Sequence, residues 1–201
     1  MQSYGFFHRE TTLRDIDENR FLSVLAGGIC AIMNFFLTPA SDARADFTDR
    51  CNRWVKLHLS RTAGIVTKER LSLLVLSCGY DLIIGDWPKV WELLAIASRI
   101  VTAMQYNWDS TAGSFIEQES IRRLTWQVYL FDRNLAGGFD EHLTLRDENL
   151  FLSLPCCEAA FIENRQVGME RLSQRPMLKN GEVSIAANYV RLFSIRHQIL
   201  G

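Results

Sequence analysis

The sequence predicts an all-α protein, an irregular bundle of about six to seven helices. Three observations carry that expectation. Apolar residues recur every three or four positions along most of the chain, which is the period of a helix face rather than the alternation of a strand. Capping residues and glycine stops stand at the ends of those periodic stretches. The connections between them are short, so successive helices can fold back on one another.

Residues 1–19 read as a polar lead-in with a short helical turn from Arg14. A first helix spans 20–37, apolar on most faces and therefore expected deep in the core. Thr38-Pro39 ends it, because the residue before a proline resists helical angles. A second helix runs over 42–58, with Phe47, Cys51, Trp54, Val55 and His58 on one face. Gly64 breaks the pattern, and Thr67 caps a third helix over 68–84 whose stripe is Leu71, Leu74, Val75, Cys78 and Leu82. Asp86 caps a fourth, with Pro88 in the first turn, where its missing N–H costs nothing. This helix continues to Met104, with Val90, Leu93, Leu94, Ala97, Ile100, Val101 and Met104 inward.

A polar loop over 107–113 precedes Ser114 and Glu117, which form a capping box for a fifth helix ending near Leu135. Its core stripe is Leu124, Val128, Phe131 and Leu135, and Gly137-Gly138 supplies a left-handed stop. Periodicity lapses over 139–157, where the chain is expected to run extended across the surface. A weak helix follows over 158–173, then a turn over 176–182. Ser184 caps a last helix over 185–200, with Ile185, Tyr189, Leu192, Phe193, Arg196 and Ile199 on one side. These elements read as a lead-in over 1–19 and a single all-helical domain over 20–201.

Composition narrows the function. Twenty-two Lys and Arg stand against 23 Asp and Glu, so the chain has no long-range field to draw in a phosphate backbone. The five cysteines form no Cys-x-x-Cys and three lie in apolar, helix-like stretches, the pattern of free thiols in a reducing compartment. The charge-free run 21–37 reaches the bottom of the length range for a membrane span. Its Gly27, Gly28 and Asn34, and the mixed charges before it, instead read as a buried helix of an intracellular protein with no membrane partner.

No chemistry announces itself. His8, His58, His142 and His197 lie outside ligand spacing of one another and of a cysteine pair, so no metal site is expected. Cys156-Cys157 is vicinal and reads as two small hydrophobes anchoring a loop. Gly27-Gly28 sits inside a helix, and Gly137-Gly138 follows one, whereas phosphate cradles precede helices. No nucleophile elbow or zincin motif occurs, and no enzyme is expected.

The densest constellation lies on the fifth helix. Glu119 stands three and four residues before Arg122 and Arg123, the spacing of intrahelical ion pairs. Arg122 stands four before Trp126, which permits stacking on the indole. Asp132 borders the apolar stripe beside Arg133, where a carboxylate needs a partner to be buried. Two readings follow: a half-buried salt-bridge network that locks helices together, or a ligand site built on Arg122 and Arg123.

The run Glu119-x-x-Arg122-Arg123-x-x-Trp126-x-x-Tyr129-x-x-Asp132-Arg133 resembles the hallmark helix of the fungal-specific transcription factor domain, the middle homology region of zinc-cluster regulators, including the xylanolytic activators. Upstream, 95–99 with Arg99, the Leu-rich stretch 71–86 and the apolar opening 21–36 resemble the family's preceding elements in order. Downstream, Asp147, Leu154-Pro155 and Glu158 match the segment that follows the hallmark. The resemblance covers roughly residues 20–165. Two loops depart from the pattern, at Ala136–Asp140 and at Gln105-Tyr106-Asn107.

The resemblance implies a nuclear regulatory domain that modulates RNA polymerase II transcription through co-regulators or a small-molecule effector, with homodimerisation as a further partner mode. An architectural, kinetochore-like module of the same fold is the alternative. It also implies that zinc and DNA contact belong to a separate zinc-cluster domain of a full-length relative, with no cofactor here.

Overall fold

The computed structural model describes residues 5–20, 22–39, 41–174 and 184–201; the turn expected over 176–182 lies outside them. The regular structure of the described residues is helical, with two isolated bridges and no strand among them. The chain divides into two compact units, Arg14–Ile100 and Met1–Leu13 with Val101–Gly201.

The first unit is built on α2 (Ser23–Leu37), α3 (Asp42–Arg61), α4 (Lys68–Ile84) and most of α5 (Trp87–Ala103). Helix α4 is its centre, with every residue from Arg70 to Cys78 buried. Thr67 accepts the Arg70 N–H at its start, and Gly85 closes it in the left-handed region at φ 80°. Helix α2 packs on α3 and α4, but only one of its faces is buried. That corrects the expectation of a helix deep in the core: Leu22, Met33, Phe36 and Leu37 are exposed. The buried face carries Gly27 and Gly28 because neighbours press on it. A Cβ at Gly27 would stand 2.9 Å from the Trp54 ring, and one at Gly28 2.9 Å from the Leu76 side chain.

Helix α3 is rotated from its expected face. It buries Thr48, Asn52, Val55 and Leu59, while Phe47 and Trp54 are exposed. The physical reason is that its polar inward residues are satisfied. The Thr48 hydroxyl donates to the Arg44 carbonyl, and Asn52 accepts from Ser77 on α4. Two further buried polar contacts hold the unit: Lys56 pairs with buried Asp81 at 2.8 Å, and Arg70 donates to the Thr62 and Ile65 carbonyls of the turn around Gly64.

The second unit contains α6 (Phe115–Ala136), α7 (Glu158–Ile162) and α8 (Ile185–Leu200), with the segment before Arg14. The Ser114–Glu117 capping box is formed in both directions. Gly137 and Gly138 follow α6 at φ 60° and 104°. Residues 139–157 carry only single 3-10 turns at Asp140–His142 and Asp147–Asn149, together with bridges from Phe151 and Ser153.

Three expectations need correction here. Helix α1 (Arg9–Asp17) forms where a polar lead-in was expected. Its start is fixed by His8, which is buried and whose Nδ1 accepts the Thr11 N–H in the manner of an N-cap. That leaves Nε2 to donate to the Ile162 carbonyl at 3.3 Å. Helix α7 stops at Ile162 instead of near Ser173, because Asn164 turns left-handed at φ 51° and Arg165 N–H reaches back to the Ala160 carbonyl. Helix α8 keeps its expected bounds but turns its small side inward: Ala186, Ala187, Val190, Ser194 and His197 are buried, and Ile185, Leu192, Ile195 and Ile199 are exposed.

A polar seam on helix α6 as the candidate functional site

Helix α6 carries a seam of charged and aromatic side chains at Glu119, Arg122, Arg123, Trp126, Tyr129, Asp132 and Arg133, all of them buried. The positions follow three- and four-residue spacing, so the seam faces one way along the helix. What it faces is the irregular stretch 144–158, whose backbone groups have no helix or sheet to pair with. The seam supplies those partners.

At its N-terminal end, Glu119 is fully buried and holds both arginines, Arg122 through Oε2 and Arg123 through Oε1 at 2.9 Å. The same carboxylate accepts the Cys156 N–H at 3.0 Å. Arg123 continues to Glu158 at 2.6 Å, to the carbonyls of Cys156 and Gly5 at 3.3 Å, and lies 4.0 Å over the Phe161 ring. Burial alone would depress its pKa, but the pairing with Glu158 and Glu119 outweighs that and raises it. Arg122 reaches Asp109, which also accepts from the Ser153 N–H and hydroxyl. Burial of Asp109 opposes ionisation, yet the bonds from Ser153 and the Arg122 guanidinium prevail and hold it below the usual carboxylate range.

Midway, the Trp126 indole donates to the Ser153 carbonyl at 2.7 Å. It is therefore engaged with the crossing segment, and the seam guanidiniums that stack on rings are Arg123 on Phe161 and Arg133 on Tyr129. At the C-terminal end, the Asp132 carboxylate accepts from the Thr144 N–H and hydroxyl and from the Leu145 N–H. Arg133 bridges Asp132 and Asp147, and Tyr129 donates to Asp147 at 3.0 Å. Burial pushes the Tyr129 hydroxyl up to about 12, against the pull of Arg133, so it stays a neutral donor.

The ion pairs expected from spacing, Glu119 with Arg122 and Arg123, are thus present. Arg99 stands apart: it is exposed on α5, in the other compact unit, and shares none of these ion pairs. Asp109, Thr144 and Ser153 belong to the seam but carried no signal in the sequence, since their partners lie 12 to 44 residues away. Charge balance is acidic at both ends. Three carboxylates (Asp109, Glu119, Glu158) meet two guanidiniums, and two (Asp132, Asp147) meet one.

Among the described residues no group of three or more His, Cys, Asp or Glu could hold a metal ion. Burial pushes the Cys78 and Cys156 thiols up to about 12, and Glu119 adds to the effect at Cys156. Protonated thiols are poor nucleophiles. Among the described residues no helix is long and apolar enough to cross a membrane.

The fungal specific transcription factor domain matches residues 2–201, almost the whole chain. The chain belongs to that family. Its match extends beyond the resemblance seen at 20–165, into α1 and α8. The fungal transcription factor domain of this chain is 25% identical, over 99% of its length, to part of the Zn(2)-C6 fungal-type transcription factor FTF1c of Fusarium oxysporum f. sp. lycopersici. It is 26% identical, over 77% of its length, to FTF2 of the same fungus, and 24% identical, over 87%, to an uncharacterized transcriptional regulatory protein of Schizosaccharomyces pombe. The domain spans only 24%, 16% and 22% of those three relatives' own lengths. No solved structure matches it.

Proposed function

We propose that this chain is a non-catalytic regulatory region of a nuclear zinc-cluster transcription regulator, which adjusts RNA polymerase II transcription by holding an effector or a co-regulator. The family match over residues 2–201 carries the reading, together with relatives named as Zn(2)-C6 transcription factors. The seam supports the non-catalytic part, because its charged groups are engaged in holding 144–158 against α6. DNA contact and zinc belong, in this reading, to a separate domain of a longer protein. The test is a yeast reporter driven by a heterologous DNA-binding domain and activation domain, with and without residues 1–201 between them. Reporter output that changes severalfold on insertion, at equal protein level, is expected; identical output across a panel of growth conditions would sink the proposal.

A second reading, a docking or dimerisation module, is favoured by one observation. Helix α8 exposes Ile185, Leu192, Ile195 and Ile199 along one side, more apolar surface than a solvent-facing helix normally carries. Light scattering on the purified chain separates the readings: a stable dimer moves the weight to docking.

A further inference from the structure

We propose that the second unit carries a binding cavity for a small, uncharged, single-ring molecule bearing one hydrogen-bond acceptor. This rests on the regulatory reading above and names the effector class. A cavity of about 220 Å³ lies beside the N-terminal end of the seam. Its apolar walls are Met104, Tyr106, Trp108, Ile121 and Leu152. Trp108 is held flat against Phe151, with ring centroids 4.0 Å apart and an interplanar angle of 22°, so one wall is a fixed aromatic platform. An engineered apolar cavity of about 150 Å³ takes one benzene, so this volume suits one ring with a polar substituent.

Charge decides the rest of the ligand's chemistry. The two charged residues on the wall are Arg122 and Asp109, already paired with each other at 3.2 Å. Glu119 stands behind Arg122, and Asp109 is held ionised, so the wall offers no net positive charge. A carboxylate or phosphate entering here would lose its water and gain no free cation. A neutral acceptor fits better. Arg122 is 3% exposed, and its Nε–H has no acceptor among the described residues. A buried donor left open is unfavourable. Arg122 itself lines the cavity, and a ligand carbonyl seated there supplies the missing acceptor. Gln118, also on the wall, already donates its amide N–H groups to the Ala112 and Gly113 carbonyls.

The experiment titrates the isotope-labelled 201-residue chain with benzamide, benzoate and toluene, following backbone and indole signals by NMR. Saturable shifts from benzamide centred on Gln118, Ile121 and the Trp108 indole are expected, with benzoate and toluene at least about tenfold weaker. Met104→Trp, which fills the cavity, is expected to remove benzamide binding. Ser110→Trp, on the exposed rim, does the same test if the first variant folds poorly. No saturable benzamide shift, equal binding of benzoate, or binding undiminished in a filled variant that keeps the parent spectrum elsewhere would each overturn the site. The reporter measurement reads the regulatory function independently. A chain that alters transcription while ignoring all three probes sinks the cavity proposal alone.

Discussion

Glu119 is the residue on which most of the seam converges. Its two oxygens face two guanidiniums and one backbone N–H, with no exposure to water. Removing its charge leaves Arg122 and Arg123 buried with less than their due. Breaking a buried pair by one partner typically costs about 3–5 kcal/mol, so Glu119→Gln should lower the urea midpoint sharply. Glu158 makes a shorter contact to Arg123, 2.6 Å against 2.9 Å from Glu119, yet its side chain is 58% exposed. Solvent screens that pair, and Glu158→Gln should cost no more than about 1 kcal/mol. Equal losses in the two variants, measured by urea unfolding of the same preparation, would mean that burial does not set the strength of these bonds. The spacing made the Glu119 pairs legible in the sequence. The Asp132 contacts were legible only as a requirement for some partner, because nothing local names Thr144 and Leu145 as the donors.

Helices show which rules carry over intact and which do not. Ends set by local chemistry came out where the residues put them: Thr67 and Gly85 bound α4, Ser114 and Gly137 bound α6, and Ser184 opens α8. Faces were harder. Helices α3 and α8 bury polar and small residues on the inward side, since hydroxyl and amide groups there find partners and small side chains permit close approach. An apolar count cannot see either effect. Helix α1 escaped because its cap is a histidine ring, outside the usual capping residues. The close approach of α6 and α8 has a measurable counterpart at Gly138. A Cβ there would fall 2.7 Å from Leu200 on a backbone at φ 104°. Gly138→Ala should therefore destabilise by about 1–3 kcal/mol, seen as a lower melting temperature, whereas Gly64→Ala meets only the backbone strain, with nothing within 4 Å.

For the chain as a whole, two carboxylates pull the pH dependence of stability in opposite directions. Asp109 is held below the ordinary carboxylate value of about 3.9. Its contribution is full above that value and is lost as pH falls through the folded-state one. Asp81 is raised by burial despite Lys56, so its folded form takes up protons more readily, and stability falls as pH climbs from the ordinary value through the raised one. Asp109→Asn should flatten the acid limb, and Asp81→Asn should flatten the slope just above it. Denaturation curves from about pH 3 to pH 7 separate the two; a slope unchanged in both variants would contradict the assignment. The all-helical class was visible at this scale from period and caps. The partition into two compact units was not, because contacts such as those of His8 and Gly5 join residues far apart in sequence.

Those two contacts also bear on how the protein is made. Arg123 is synthesised 118 residues after Gly5, and Ile162 154 residues after His8. At elongation rates of about 5–20 residues per second, this segment waits roughly six to thirty seconds before its docking partners exist. During that interval it is open to chaperones and proteases, so the segment around Gly5 and His8 is secured only when α7 has been synthesised.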